Sequence, residues 1–149
     1  MPKVAIAPLL VLWIGFGTLP KIIVVFLVCF FPIIVSTATG LAAVPAPLIE
    51  LIQSLSATPY QIFIKIRFPT AMPHIFVGLK IAITLAVIGA VIGEFVGSED
   101  GLGYLILVST SQSRTALAFG VLVLLTVMSI VLYYCVALVQ RFVIPWADE

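Results

Sequence analysis

Few side chains in this sequence could take part in acid–base, nucleophilic or metal chemistry. The 149 residues include seven Lys and Arg, six Asp and Glu, one His and two Cys. Glu94 is the only acidic residue inside a long apolar segment, where an ionisable group is a functional candidate by default. Cys29 and Cys135 are single and lack the spacing of a metal site or a disulfide framework. No apolar segment holds paired Asp, His–Glu or Ser–His groups, so an intramembrane enzyme is the least favoured class, and no catalytic or metal site is expected.

The composition indicates which kind of element must position these residues. The chain is 63% hydrophobic and 9% charged, whereas a soluble domain is roughly 45–50% apolar and about 25% charged. A chain of this length cannot hide so much apolar surface in a core of its own. The formal net charge of +1 provides no basic field for nucleic acid. The composition therefore excludes a soluble enzyme and predicts a protein embedded in a lipid bilayer.

Long apolar stretches with few or no charges predict the membrane-spanning helices, since a crossing helix needs about 20 mostly apolar residues. The segments that meet this description, the first only weakly, are residues 4–19, 22–43, 74–97 and 115–139. The first is short and is broken by Pro8, Gly15 and Gly17. None alternates as a barrel strand would, and helices satisfy their own backbone groups in lipid. The expected fold class is all-α, a polytopic membrane helix bundle that forms a single domain over residues 1–149.

The basic residues predict the orientation of these segments. If the four segments alternate, five basic residues share one side, namely Lys3, Lys65, Arg67, Lys80 and Arg141. The other side has Lys21 and Arg114, together with Glu99 and Asp100. An excess of Lys and Arg marks the cytoplasmic side. The loop of residues 44–73 and both termini are therefore expected in the cytoplasm.

The residue pattern of the 44–73 loop predicts two short amphipathic helices joined by a corner. Pro47 suits the first turn of the first helix, and apolar residues recur there at helical spacing, at positions 48, 51, 52 and 55. Such a pair of helices could lie on lipid headgroups, pack under the helix bundle as a structural connector, or dock a partner protein. The residue pattern leaves these three interpretations open.

The second helix of the loop has a start and a stop signal. Thr58 is placed as its N-cap, Pro59 as its first residue, and Gln61 as the partner that completes a capping box. Its expected end is Phe68, because Pro69 follows and disfavours a helical residue before it.

A resemblance to a known family is carried mainly by this loop. The run from Glu50 to Pro69 resembles the "EAA" cytoplasmic loop of binding-protein-dependent ABC importer permeases, with Glu50, Ile66 and Pro69 at the motif's positions. Leu51 and Ile52 replace the motif's two Ala, and Ser56 replaces its Gly. If that position is left-handed, a residue other than Gly costs on the order of 1 kcal/mol. Essentially the whole chain is similar to the nitrate/sulfonate/taurine-type subgroup.

The resemblance implies a bundle of the type I ABC importer permease kind, in a bacterial inner membrane, with a cytoplasmic two-helix coupling loop. Such a permease translocates a small solute from a binding protein and works as a pair of copies. ATP and Mg²⁺ would be bound by a separate ATPase, since this sequence has no phosphate-binding GxxxxGK[S/T] loop and is not expected to be an enzyme. The implied coupling residues are Glu50, Ser56, Ala57, Thr58, Tyr60, Gln61, Phe63, Lys65, Ile66 and Pro69, with Tyr60, Ile62, Phe63 and Ile66 as apolar anchors.

Two other classes remain open beside the importer. The chain could be an ATP-independent carrier or channel whose loop is only structural, or a membrane scaffold that does not transport. Its three clear spans are fewer than such permeases have, so we expect it to be the C-terminal portion of a longer permease or a chain with a misplaced start.

A series of small residues along the third span has two interpretations. Gly89, Gly93 and Gly97 recur at four-residue steps and allow close backbone approach. Packing within the chain is favoured, and a position near the dimer axis and the translocation path is the alternative. Glu94, beside this series, is near enough to the expected outer end to reach water. The following Gly101-Leu-Gly103 lies in a segment too short to span and is no nucleotide fingerprint, because no strand precedes it.

Overall fold

The computed structural model describes residues 3–147, and all regular structure in this range is helical. The helices are α1 (Ala7–Ile14), α2 (Thr18–Ala42), α3 (Ala46–Ser54), α4 (Pro59–Ile62), α5 (Phe68–Gly97), α6 (Leu102–Ser111) and α7 (Thr115–Val143). Short 3-10 turns cover Lys3–Ile6 and Pro145–Ala147, and a π-helical turn covers Phe63–Arg67.

Three helices in the described part of the chain are long and apolar enough to cross a membrane. They are Thr18–Ala42 with 25 residues, Pro59–Gly97 with 39 and Thr115–Val143 with 29. At 1.5 Å per residue, even the shortest measures about 37 Å, more than the roughly 30 Å of bilayer hydrocarbon. The buried share of their most apolar windows is only 6%, 22% and 17%, so most of these side chains are left to face lipid or other helices. The expected all-α class with membrane-length helices is confirmed.

The expectation that the second loop helix ends at Phe68 is wrong. The helix runs from Pro59 through Pro69 and Pro73 to Gly97. A proline inside a helix lacks an N–H and crowds the carbonyl four residues earlier. The π turn changes the hydrogen-bond pattern just before Pro69, where the Phe68 N–H donates to the Phe63 carbonyl. The Thr70 hydroxyl also donates to the Ile66 carbonyl, at 2.7 Å. The loop therefore consists of α3 and the first turns of a long membrane helix.

The weak first segment, residues 4–19, is divided between three elements. After the 3-10 turn, α1 has only eight residues and ends before Gly15, and α2 begins at Thr18. Gly15 and Gly17 have φ values of +91° and +147°, a region that favours glycine. The two glycines thus break the segment, and α1 is too short to cross a bilayer by itself.

The chain divides into two compact units. One contains the residues up to Phe31 and those from Ala82 to Tyr134; the other contains Pro32–Ile81 and the residues from Cys135 onward. The first unit has two apolar clusters of buried residues, Ala7, Leu10 and Val24 in one and Val87, Val121 and Leu125 in the other. In the second unit the buried apolar residues are Val44, Ile62, Ala71 and Ile144.

Candidate functional site

The helical corner (residues 46–67) brings together most of the residues that the sequence singles out. Its first helix, α3, ends in a Schellman motif: the Ala57 N–H donates to the Ile52 carbonyl at 3.4 Å, and the Ser56 N–H donates to the Gln53 carbonyl at 3.0 Å. Ser56 occupies the left-handed position of this motif, with φ of +61°. A side chain there costs about 1–2 kcal/mol. Ser56 therefore has the backbone conformation that glycine favours, and the corner holds this strain.

Replacing this serine with glycine is expected to stabilise the protein. Ser56→Gly removes the left-handed cost of about 1–2 kcal/mol and adds about 0.5–1 kcal/mol of chain entropy. The free energy of unfolding should rise by about 0.5–1 kcal/mol, the difference between these two. Thermal unfolding in detergent measures it. Ser54→Gly, in the last turn of α3, is the matched control and should lower stability, and equal effects of the two substitutions would contradict the assignment.

The second helix of the corner begins with the predicted capping box. The Gln61 N–H donates to Thr58 Oγ1 at 3.4 Å, and the Thr58 N–H donates to Gln61 Oε1 at 2.9 Å. Pro59 takes the first helical position, where its missing N–H is not needed. The corner is thus held on both sides, by the Schellman motif before it and by the capping box after it.

The corner exposes both aromatic and charged side chains. Tyr60 is 72% exposed and Phe63 is 45% exposed. Glu50, Lys65 and Arg67 are exposed as well. Exposed aromatic side chains and Arg are enriched at surfaces that bind another protein. Beside them, a cavity of about 260 Å³ is lined by Ile49, Gln53, Ala57, Pro59, Ile62, Phe63 and Arg67.

Two of the four expected apolar anchors are less accessible than sequence suggests. Ile62 is only 6% exposed, so it belongs to the support of the corner rather than to its outer surface. Ile66 is half-buried, and Pro69 lies within the long helix. Tyr60 and Phe63 are therefore the two anchors that the corner presents to solvent.

The glycines of the third predicted span lie against other helices of the same chain. In the first unit, a Cβ on Gly89 would lie 3.5 Å from Val25, one on Gly93 would lie 3.3 Å from Lys21, and one on Gly97 would meet Val11 at 2.6 Å. Val25 and Lys21 belong to α2, and Val11 to α1. This is the geometry of close helix packing through small residues.

Gly40 is a packing residue that the sequence interpretation missed. A Cβ on Gly40 would lie 2.7 Å from the His74 Cβ and 3.0 Å from the Ala71 backbone. In the same unit, a Cβ on Gly78 would lie 2.7 Å from the Ser36 Cβ. The sequence feature that could have identified Gly40 is its four-residue spacing from Ser36, the small-xxx-small pattern of membrane helix contacts.

Polar contacts of the first unit gather where α5 ends. The Gly103 N–H donates to Glu94 Oε2 at 2.6 Å. Lys21 Nζ donates to Ser98 Oγ at 2.6 Å, and the Asp100 N–H donates to the same oxygen at 3.1 Å. Within residues 3–147, no group of three or more His, Cys, Asp or Glu side chains is placed to hold a metal ion. The polar side chains here bind the backbone and each other.

Comparison with known proteins gives a consistent result over the whole chain. The family model described as "Binding-protein-dependent transport system inner membrane component" matches residues 1–149. A probable ABC transporter permease protein of Haemophilus influenzae is 39% identical over 96% of this chain and 59% of its own length. The riboflavin transport system permease protein of Chloroflexus aurantiacus is 36% identical, over 98% of this chain and 54% of its own. A putative aliphatic sulfonates transport permease protein of Bacillus subtilis is 32% identical, over 100% and 54%. The chain thus spans between half and two thirds of these relatives.

Proposed function

The chain belongs to the family of binding-protein-dependent transport system inner membrane components, and we propose that it forms part of the membrane-spanning permease of an ABC importer. As a member of this family it is a non-catalytic membrane component. ATP and Mg²⁺ would accordingly be bound by a separate ATPase, which docks on the helical corner. The solute would be delivered by a binding protein on the opposite face, and the permease would work with a second copy of itself.

The helical corner is the observation that carries this proposal. Coupling requires a docked element that moves as a rigid body, so that closure of the ATPase moves the membrane helices. The Schellman motif and the capping box limit bending on both sides of the corner. The Tyr60 side of the corner continues into the 39-residue helix that ends at Gly97. A displacement of the docked turn would therefore act directly on a membrane-spanning helix.

The same surface provides the contacts that a protein partner needs. Tyr60 and Phe63 would fill apolar pockets of the ATPase, as aromatic anchors do at protein interfaces. Glu50, Lys65 and Arg67 would lie at the rim, where charges contribute more to orientation and association rate than to affinity. In this arrangement the corner and the C-terminus are cytoplasmic.

The solute that we propose is a small organic or inorganic compound. The relatives are named for riboflavin and for aliphatic sulfonates, which differ widely in size and charge. The segments of this chain in the membrane are rich in generic small and apolar residues. Specificity would then rest largely with the binding protein, in a nitrate-, sulfonate- or taurine-like range.

Reconstitution tests this function directly. The permease would be placed in liposomes together with the ATPase and the binding protein of the proposed transport system. Uptake of radiolabelled taurine, an alkanesulfonate or nitrate would then be measured with and without ATP. ATP-dependent uptake that needs all three components supports the proposal. Uptake without the ATPase would favour an ATP-independent carrier. No uptake, together with an ATPase that does not bind the chain, would favour a scaffold.

A further inference from the structure

The acidic residue within the long α5 helix contacts the beginning of the next helix. Glu94 lies one turn before the end of α5, and its Oε2 accepts a hydrogen bond from the Gly103 N–H at 2.6 Å. Gly103 is the second residue of α6, and first-turn N–H groups have no partner within their own helix. The N-cap of α6 is Gly101, which has no side chain to supply one. Glu94 thus supplies to α6 the cap that an Asp or Ser usually provides.

The two glycines of Gly101-Leu-Gly103 make room for this carboxylate. A Cβ on Gly101 would overlap the carboxylate of Glu94, and Gly101 has φ of +121°. A Cβ on Gly103 would lie 2.9 Å from the Val91 carbonyl oxygen and 3.0 Å from Glu94 Oε2. Both distances are shorter than side chains tolerate without movement. The spacing of the two glycines is therefore explained by a bound side chain of the same protein.

The remainder of α6 is stabilised by apolar packing and by a backbone hydrogen bond at its C-terminal end. Leu102 and Ile106 pack against the cluster formed by Val87, Val121 and Leu125. At the other end, the Arg114 N–H donates to the Ser109 carbonyl at 2.8 Å around Ser113, which has φ of +55°. Glu94 adds to this packing a directional hydrogen bond at the start of α6.

We propose that Glu94 is a positioning residue that fixes α6 to the end of α5. The Glu94 carboxylate, held in the space left by Gly101 and Gly103, keeps α6 in a fixed position relative to the end of α5. The significance for transport rests on the proposed function: α6 would then follow α5 during each cycle. The positioning role itself requires neither ATPase nor solute.

Hydrogen exchange of the backbone amides in α6, measured by mass spectrometry on the purified chain in detergent, tests the proposal. Glu94→Ala should raise the exchange rate of the α6 amides roughly tenfold, the scale expected for leaving a helix N–H without its acceptor. Glu94→Gln keeps an acceptor oxygen at the same reach, so it should restore most of the protection. Glu99→Ala removes an exposed acid from the neighbouring loop and is the matched control, expected to exchange like the wild type.

A second variant keeps the test decisive if Glu94→Ala does not fold. Gly103→Ala displaces the carboxylate without removing it and should raise exchange in α6 as Glu94→Ala does. Unchanged exchange in α6 with either variant would overturn the proposal. An equal rise in α2, α6 and α7 with both variants would overturn it too, because the loss would then not be specific to α6. Protection of α6 that depends on Glu94 would stand even if the reconstituted chain failed to transport.

Discussion

Replacing both Tyr60 and Phe63 with glutamate is expected to abolish binding of the ATPase. Both aromatic rings are exposed on the helical corner, and truncating an aromatic anchor at an interface typically costs 2 kcal/mol or more. Two such losses correspond to an affinity about 1,000-fold weaker, and burying unpaired carboxylates in apolar pockets weakens it further. Co-purification of the ATPase from mild detergent, followed by the affinity of the purified proteins, measures the effect.

The controls for this prediction separate docking from folding. Since both side chains are exposed, the double substitution should leave thermal unfolding of the isolated chain nearly unchanged. Phe142→Glu makes the same chemical change at a side chain that is 84% exposed but lies outside the corner, and it should retain the ATPase. Tyr60→Phe, which removes only the hydroxyl, should retain it too. Wild-type affinity of the Tyr60/Phe63 double variant would rule out the corner as the docking surface.

Gly40→Ala is expected to cause a large loss of stability for a single added methyl group. The new Cβ would lie 2.7 Å from the His74 Cβ and 3.0 Å from the Ala71 Cα and carbonyl oxygen. None of these atoms is at the free end of a flexible side chain, so α2 or α5 must shift. Overpacking of this kind costs about 1–3 kcal/mol, and we expect the upper part of that range. Thermal unfolding in detergent or lipid nanodiscs measures the loss.

Gly120 provides the matched control for Gly40. It also lies inside a long helix, α7, but a Cβ there would meet no atom within 4 Å. Gly120→Ala should therefore leave the free energy of unfolding unchanged or raise it by about 0.5–1 kcal/mol, because alanine loses less chain entropy in a helix. A loss at Gly120 as large as that at Gly40 would mean that close packing at Gly40 is not the cause.

Features that depend on short stretches of chain were predictable from the residues themselves. Membrane embedding follows from apolar content, since the cost of leaving such side chains in water adds up residue by residue. The capping box of Thr58 and Gln61 was predictable because it closes over three residues. The sequence showed Ser56 in place of the motif's glycine, which left two possibilities, a corner with different backbone angles or a corner under strain. The φ of +61° at Ser56 shows that the corner is strained.

Features that depend on contacts between distant parts of the chain required the tertiary structure. The local rule for Pro69 predicts a helix end, yet the helix continues past the proline through a π turn at Phe63–Arg67. The burial of Ile62 and the close approach of Gly40 to His74 likewise depend on neighbours brought together by folding.

The sequence alone determined that this chain is a set of membrane helices with a capped corner, because composition and local hydrogen bonding are properties of short segments. It also identified Glu94 as unusual, since an acid in an apolar stretch is costly wherever the stretch is placed. Only the tertiary structure decided how that cost is met: the start of α6 supplies an unpaired N–H, and two glycines leave the space to reach it. Which backbone group a side chain binds on the next helix depends on the path of the connecting segment, and residue types alone do not specify that path.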